Sequence, residues 1–206
     1  MSFADMQAQV TEYYAGRLQE HGPTARGVDW NSDESQHLRF AQLLHLLPDE
    51  PCSLLDYGCG YGALLDYIGG RGLQVDYLGF DCTASMVERA IALHRQYARA
   101  TFVDDERQLR SCEYVVASGV LNVKLTTPDP EWHDYMVHVV GQLAALSTRG
   151  FAFNALSTYS DVDKRRPHLH YADPGWWFDY CKRHISRAVS LLHDYPLYEF
   201  TLIVRH

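Results

Sequence analysis

The first part of the chain carries apolar side chains at helical spacing and predicts two helices before residue 50. Apolar positions recur every three or four residues over residues 3–18, with acids and glutamines between them. This is the pattern of an amphipathic helix with one buried face. The pair Gly22-Pro23 ends this helix, and a second helix is predicted over residues 35–47, closed by Pro48.

Beyond residue 52, short apolar runs alternate with helical segments. The runs predict seven strands, at residues 53–57, 75–80, 101–103, 114–118, 151–156, 187–193 and 197–204. Helices are predicted between them at residues 63–68, 84–97, 131–146 and 173–183. This alternation indicates an α/β fold with a doubly wound, mostly parallel sheet covered on both faces. The last two strands are joined by the short turn Asp194-Tyr195-Pro196, so they must form an antiparallel C-terminal hairpin.

Composition narrows the class of protein. The 206 residues suffice for one domain, and we expect residues 1–50 to be a helical extension, or lid, on a core at residues 51–206. Acids outnumber lysines and arginines by 26 to 18, and the net charge of −8 makes nucleic acid an unlikely partner. We expect no membrane association, because no apolar run could span a bilayer and the start of the chain lacks the pattern of a secretory signal. Five cysteines without a CxxC pair predict reduced thiols and a cytoplasmic protein.

The carboxyl edge of the sheet is where the chemistry is expected, because ligands of such sheets bind where the strand order reverses. The predicted strands end at Tyr57, Phe80, Val103, Ser118 and Leu156. The strongest signal follows the first of them, where a buried strand runs into a glycine turn that opens a helix. This stretch reads Asp56-Tyr57-Gly58-Cys59-Gly60-Tyr61-Gly62-Ala63.

Two classes of ligand compete for this glycine turn. Gly58, Gly60 and Ala63 also satisfy the fingerprint of dinucleotide-binding folds, in which the turn holds a pyrophosphate at a helix N-terminus. The carboxylate of Asp56 would repel a pyrophosphate and attract a cation. The turn therefore favours a positively charged ligand, and the structural alternative is that Asp56 only caps the turn.

Four landmarks in order along residues 34–206 resemble class I S-adenosylmethionine-dependent methyltransferases of the small-molecule type. They are Asp56-x-Gly58-x-Gly60-x-Gly62, Leu78-Gly79-Phe80-Asp81, Val103-Asp104-Asp105 and Val115-Val116-Ala117-Ser118-Gly119. The antiparallel terminal hairpin is also a mark of that family. The resemblance implies a Rossmann-like seven-stranded sheet, S-adenosylmethionine as cofactor, and a methyl-transfer reaction.

The resemblance also implies roles for individual residues. Asp81 would hold the ribose hydroxyls, Met86 would pack on the adenine, and Asp104 or Asp105 would meet the adenine amino group. The predicted cofactor-binding set is Asp56, Gly58, Cys59, Gly60, Gly62, Asp81, Cys82, Met86, Asp104, Asp105, Ser118 and Gly119. Two alternatives stay open: Asp81 could be the ribose acid of a nicotinamide enzyme, and one acid of the Asp104-Asp105 pair could be solvated.

The acceptor pocket is expected to form from segments over the strand ends. The candidate substrate-binding residues are Tyr14, Trp30, Asn122, Asn154 and Tyr171. The aromatic residues of the N-terminal region could equally pack the extension against the sheet. We expect no metal, since His168, His170 and Asp173 are a weak ligand set.

His168 and His170 are the candidate general bases, because imidazole titrates near neutrality. Three further charged features have two interpretations each. The run Lys164-Arg165-Arg166 either recognises an anionic acceptor or is a solvated face. Arg39 either meets a carboxylate of cofactor or substrate or faces solvent, and Glu199 either faces inward, where it needs a partner, or lies at an exposed edge.

The predicted function is methyl transfer from S-adenosylmethionine to an O or N nucleophile of a small molecule, by in-line displacement. The alternatives are a tRNA or protein methyltransferase and a non-catalytic protein that binds the cofactor. Members of the family that methylate nucleobase amines carry an Asn/Asp-Pro-Pro-aromatic run after the fourth strand. This chain reads Ser118-Gly119-Val120-Leu121-Asn122 there, which counts against base methylation.

Overall fold

A computed structural model of the protein describes residues 1–206 and contains one sheet of seven strands. The strands are β1 (Cys52–Tyr57), β2 (Val75–Phe80), β3 (Ala100–Val103), β4 (Cys112–Ala117), β5 (Ser147–Leu156), β6 (Ala188–Leu192) and β7 (Glu199–Arg205). The α-helices are α1 (Phe3–His21), α2 (Asp33–Leu43), α3 (Ala63–Gly70), α4 (Ala84–Leu93), α5 (Asp129–Leu146) and α6 (Pro174–His184). No helix is both long enough and apolar enough to cross a membrane.

The strand order β3-β2-β1-β4-β5-β7-β6 confirms the doubly wound α/β prediction. The first five strands pair in parallel, and β7 is antiparallel to both β5 and β6. The order changes direction between β1 and β4, so the switch point lies at the carboxyl ends of these two strands. Tyr57 and Phe80 are register partners at the ends of β1 and β2, which places the loops that follow these two strands side by side.

Element boundaries differ from the predictions where polar residues decide them. β5 begins at Ser147, directly after α5, because this polar start already pairs with β4. α4 ends at Leu93 instead of residue 97, because His94 caps it. Both the backbone N–H and the ring Nδ1 of His94 lie within hydrogen-bond distance of the Ala90 carbonyl.

Apolar side chains cover both faces of the sheet. The larger cluster joins α5 and α6 to one face through residues such as Trp132 and Trp177, and Met6 of α1 belongs to it. The second cluster joins α2 and α3 to the other face, with Phe40 and Leu64 among its members. Helices are thus held on both sides, as the crossover connections of parallel strands require.

A buried ion pair connects α2 to β7. Glu199 is fully buried and Arg39 nearly so, and the Nε of Arg39 lies 2.9 Å from each carboxylate oxygen of Glu199. The guanidinium also donates to the Ser35 carbonyl at 2.7 Å and stacks 3.9 Å from the ring centre of Trp30. Arg39 is therefore the inward partner that a buried Glu199 needs, and neither residue is a solvated surface charge.

We expect Glu199→Ala to lower the free energy of unfolding by about 3–5 kcal/mol, because the Arg39 guanidinium would stay buried without its partner. Urea denaturation monitored by circular dichroism measures this. Asp179→Ala is the matched control, since it breaks an exposed pair with Arg183 and should have a far smaller effect. Equal losses of unfolding free energy in the two variants would show that the buried ion pair stabilises the fold no more than the exposed one.

Candidate active site

The loop after β1 follows a path that only glycine adopts easily. Gly58, Gly60 and Gly62 have φ angles of +81°, +55° and +90°, in the left-handed region. A Cβ atom on Gly58 would lie 2.4 Å from Cγ2 of Val120. The loop thus brings bare backbone close to the switch point of the sheet and then enters α3.

Asp56, at the end of β1, is buried with only half of its carboxylate bonded. The Tyr77 hydroxyl donates to Oδ2 at 2.6 Å, whereas Oδ1 is buried and has no hydrogen-bond partner. Burial raises the pKa of Asp56 to about 7, and the nearby Asp81 adds to this rise. Since buried polar atoms in folded proteins are nearly always paired, the free oxygen indicates a position where a donor or cation binds.

Asp81 follows β2 and is fixed by backbone donors. The N–H of Gly60 donates to its Oδ2 at 2.9 Å, and the N–H of Thr83 donates to its Oδ1 at 2.8 Å. Burial raises the pKa of this carboxyl as well, and the two backbone bonds oppose the rise. Because each oxygen keeps a lone pair, Asp81 can still accept hydrogen bonds from a ligand.

A cleft lies between these two acids, with about 960 Å³ of empty space. The predicted cofactor residues that line it are Asp56, Gly58, Cys59, Gly60, Asp81, Cys82, Met86, Ser118 and Gly119. Helix α1 closes one side with Gln7, Val10 and Tyr14, and no lysine, arginine or histidine lines the cleft. Its charge is therefore entirely negative.

Three predicted cofactor residues do not line the cleft. Gly62 faces away from it, and a Cβ on this glycine would lie 2.7 Å from the His94 ring. Asp104 is exposed, and Asp105 pairs with the Arg107 guanidinium at 2.6 Å. The two acids line a separate groove beside α1, and Cys82 borders both spaces.

Gly119, after β4, is covered by the Trp30 ring. Gly119 has a φ angle of +76°, and a Cβ on it would lie 2.4 Å from Cζ2 of Trp30. Its N–H donates to Oδ1 of Asn154 at 2.8 Å. Asn154 is fully buried and lines neither this cleft nor the neighbouring cavity, so it supports the loop from below.

A second, larger cavity of about 1640 Å³ adjoins the cleft. Four residues line both spaces and form the junction between them: Tyr14, Val28, Trp30 and Gly119. Asn122 and Tyr171 line the second cavity, as do Lys164 and Arg166. Of the predicted acceptor residues, the structure thus brings Tyr14, Trp30, Asn122 and Tyr171 together around one space.

His168 and His170 line neither the cleft nor the second cavity. Nδ1 of His170 lies 2.9 Å from Oδ1 of Asp129 at the start of α5. Burial lowers the pKa of His170, and the bond to Asp129 opposes this. The His168 carbonyl accepts backbone N–H groups of Lys124 and Leu125. No group of three or more His, Cys, Asp or Glu side chains is arranged to hold a metal ion.

Some residues of the site carry no motif in the sequence. Tyr77 bonds Asp56 because Leu54 is its register partner and Asp56 lies two positions further along β1, so both side chains share one sheet face. Strand register could have revealed this neighbour. Gln7 and Tyr135 line the cleft through helix placement alone, and no local pattern marks them.

The switch-point cleft and the reversed strand β7 define a Rossmann-like protein of the methyltransferase type. A family model described as a methyltransferase domain matches residues 31–190, so this chain belongs to that family. It is 49% identical over 156 residues to "Putative methyltransferase Rv1506c" of Mycobacterium tuberculosis. The aligned residues make up 76% of this chain and 94% of the relative.

Solved methyltransferase structures share the fold at low sequence identity. NodS, an N-methyltransferase of Bradyrhizobium japonicum WM9 in complex with S-adenosylhomocysteine, is 13% identical, with a TM-score of 0.66 over 95% of this chain and 97% of that one. A DhpI–SAH complex is 14% identical, with a TM-score of 0.64 over 97% of both chains. These likenesses confirm the predicted fold.

We expect Asp56→Asn to stabilise the ligand-free protein more at high pH than at low pH. The pKa of Asp56 is higher in the folded protein than in the unfolded chain. The contribution of this carboxyl group to stability is therefore complete at a pH below its unfolded pKa, and it is lost as the pH rises through about 7. The stability gain of the variant should therefore be about 2.5 kcal/mol larger near pH 8 than near pH 5. Urea denaturation at both pH values measures this. Asp49→Asn, which removes an exposed carboxylate, should show no such pH dependence.

Proposed function

We propose that this protein transfers the methyl group of S-adenosylmethionine to an O or N nucleophile of a small-molecule acceptor. The observation that carries the proposal is the free, buried oxygen of Asp56 beside the glycine loop. Membership of the methyltransferase domain family supports it, as do the ligands named for the structural neighbours.

The residues of the cleft fit this cofactor better than a dinucleotide. The cleft presents two carboxylates, Asp56 and Asp81, and no basic side chain, so a pyrophosphate would be repelled by the acids with no side-chain cation to offset them. S-adenosylmethionine carries a sulfonium, an ammonium and one carboxylate, so its net charge is positive, and when bound it supplies a methyl carbon activated by the sulfonium. In our proposal, Asp56 holds the ammonium and Asp81 accepts from the ribose hydroxyls. Met86 packs on the adenine, and Ser118 with Gly119 lies along the methionine portion.

The proposed acceptor site is the second cavity, because it meets the cleft at Tyr14, Val28, Trp30 and Gly119. An acceptor held there faces the cleft across this junction, which is the arrangement that in-line transfer needs. A concave space lined by apolar side chains and a few polar groups suits a small molecule. It favours a small acceptor over a tRNA or protein substrate, and an open acceptor cavity favours catalysis over binding alone.

Residues 1–206 act as one domain in this proposal, with residues 1–50 as a lid. Helix α1 is tied over the cleft by Gln7, which donates to Glu106 at 3.2 Å, and by Thr11, which donates to Cys82 Sγ at 3.1 Å. A lid of this kind would exclude water from the reacting atoms. We also propose a cytoplasmic location, because all five cysteines are free thiols.

Calorimetry with S-adenosylhomocysteine tests the cofactor assignment directly. We expect the wild-type protein to bind it, and Asp81→Ala to weaken binding by about tenfold or more, since the ribose hydroxyls would lose a charged acceptor. Asp76→Ala is the matched control, because this exposed acid lies on the same strand, outside the cleft. Binding of NAD without binding of S-adenosylhomocysteine would refute the proposal. Equal affinities of wild type and Asp81→Ala would refute the ribose role alone.

Cofactor affinity should also depend on pH through Asp56. Only the ionised carboxylate attracts an ammonium, and its pKa of about 7 in the free protein leaves it mostly protonated at lower pH. The dissociation constant for S-adenosylhomocysteine should therefore be about tenfold larger near pH 6 than near pH 8. Fluorescence titrations across this range measure the effect. In Asp56→Asn the affinity should be weaker and almost independent of pH, and a wild-type slope in that variant would contradict the assignment.

A further inference from the structure

Asn122 lines the proposed acceptor cavity, and its side chain carries a buried donor. Its Oδ1 accepts the Leu156 N–H at 2.9 Å, and its backbone carbonyl accepts the His170 N–H at 2.8 Å. The first bond orients the side-chain amide and the second holds the backbone, and the Nδ2 atom of the amide is buried without a partner. An unpaired buried donor costs about 1–3 kcal/mol. Asn122 lines the second cavity, so an oxygen atom of the acceptor is the partner that this donor suits.

The charges around the cavity leave an excess of positive charge. The two carboxylates that line it are already paired, Asp29 with Arg17 at 3.0 Å and Glu199 with Arg39. Arg166 has no carboxylate within ion-pair distance. Lys164 contacts only the exposed Asp163, at 3.3 Å. An anion in the cavity would therefore meet one unpaired cation, Arg166, and a second, Lys164, whose single ion pair is exposed.

The loop that carries these cations is anchored to the cavity wall. The backbone N–H of Arg166 donates to the Tyr171 hydroxyl at 2.8 Å, and the proton of this hydroxyl stays available for an acceptor oxygen. The Arg165 guanidinium lies over the Tyr171 ring and donates to the Thr158 carbonyl. The loop thus holds Tyr171 against the backbone of Arg166, and both residues line the cavity together with Asn122.

The junction with the cofactor cleft contains no group that could remove a proton. Its four residues are Tyr14, Val28, Trp30 and Gly119. Burial raises the pKa of Tyr14, so its hydroxyl stays protonated and acts as a donor. The candidate bases His168 and His170 line neither space. A nucleophile that is already ionised therefore needs no proton acceptor at this junction.

We infer that the acceptor is an organic acid that presents an ionised oxygen, held by Asn122, Tyr171 and the cationic side chains of Lys164 and Arg166. This inference rests on the proposed function and specifies its acceptor. A lone pair of the ionised oxygen forms the new O–CH₃ bond while the C–S bond breaks, and the electron pair of that bond stays on sulfur. The acid loses one negative charge, the sulfonium becomes a neutral thioether, and no proton has to be removed.

Nuclear magnetic resonance on the complex with S-adenosylhomocysteine tests this inference without knowledge of the natural acceptor. The probes are methylphosphonate and acetate, with methylamine as the cationic comparison. We expect both acids to shift the side-chain amide signal of Asn122 in a saturable way and methylamine to leave it unchanged. The signal is assigned by its loss in Asn122→Asp.

Variants separate recognition from general charge. Asn122→Asp should weaken acid binding by about tenfold or more, because a carboxylate would replace the donor, and backbone amides of the cavity report its binding. Arg166→Gln should weaken it several-fold, and as an exposed residue it does not endanger folding. Arg187→Gln, which removes an exposed arginine outside the cavity, should leave acid binding unchanged.

The outcomes distinguish the two levels of the proposal. If S-adenosylhomocysteine does not bind the wild-type protein, the proposed function fails. If it binds but the acids do not shift the Asn122 amide, the inference about the acceptor fails while the cofactor assignment stands. Preferential binding of methylamine, or equal acid binding by wild type, Asn122→Asp and Arg166→Gln, would also overturn the inference.

Discussion

A carboxylate buried beside a glycine loop is the constraint around which this molecule is organised. Asp56 lies at the end of the central strand β1, with one oxygen bonded to Tyr77 and the other without a partner. Burying a carboxylate in this way opposes folding, so the surrounding packing must hold it in place. The strand order, the glycine turn and the placement of Asp81 all converge on this point. Together they form a pocket whose only charged side chains are two carboxylates, which matches a nucleoside that carries a sulfonium and an ammonium.

The junction between the cleft and the second cavity depends on contacts between distant parts of the chain. Trp30 lies between the Arg39 guanidinium and Gly119, and Arg39 is held by the buried Glu199. The N-terminal extension, the loop after β4 and strand β7 therefore meet at the boundary between the two cavities. A substitution of Glu199 would therefore alter the support of Trp30, although Glu199 lies in the sheet and Trp30 lies in the N-terminal extension.

The sequence alone predicted those parts of the fold and site that are marked by residues close together in the chain. The run from Asp56 to Gly62 contains its strand, its turn and its helix start, and the prediction of a doubly wound sheet with a reversed strand follows from the same periodicity and is confirmed. Asp81 could be placed because strand ends of a parallel sheet meet at one edge. The pairing of Arg39 with Glu199 joins residues 160 positions apart, and no local pattern encodes such a contact.

Other parts of the site depended on how the chain leaves each strand. After β3 a short turn at residues 106–108 begins, and Arg107 neutralises Asp105, so the acids of this strand end lie outside the cleft. His168 and His170 were the candidate general bases, but Asp129 at the start of α5 bonds His170, and neither histidine lines the cleft or the second cavity. Both outcomes follow from tertiary neighbours that spacing alone does not reveal.

The position of β7 has a consequence for the order of assembly. This strand is the last of the seven in the chain, yet it lies inside the sheet, between β5 and β6. During synthesis on the ribosome, β6 therefore emerges before the strand that connects it to the rest of the sheet. Until Glu199 has been synthesised, Arg39 has no carboxylate partner and cannot support Trp30 through this ion pair. A nascent chain that already contains the glycine turn therefore still lacks part of the lining of the second cavity.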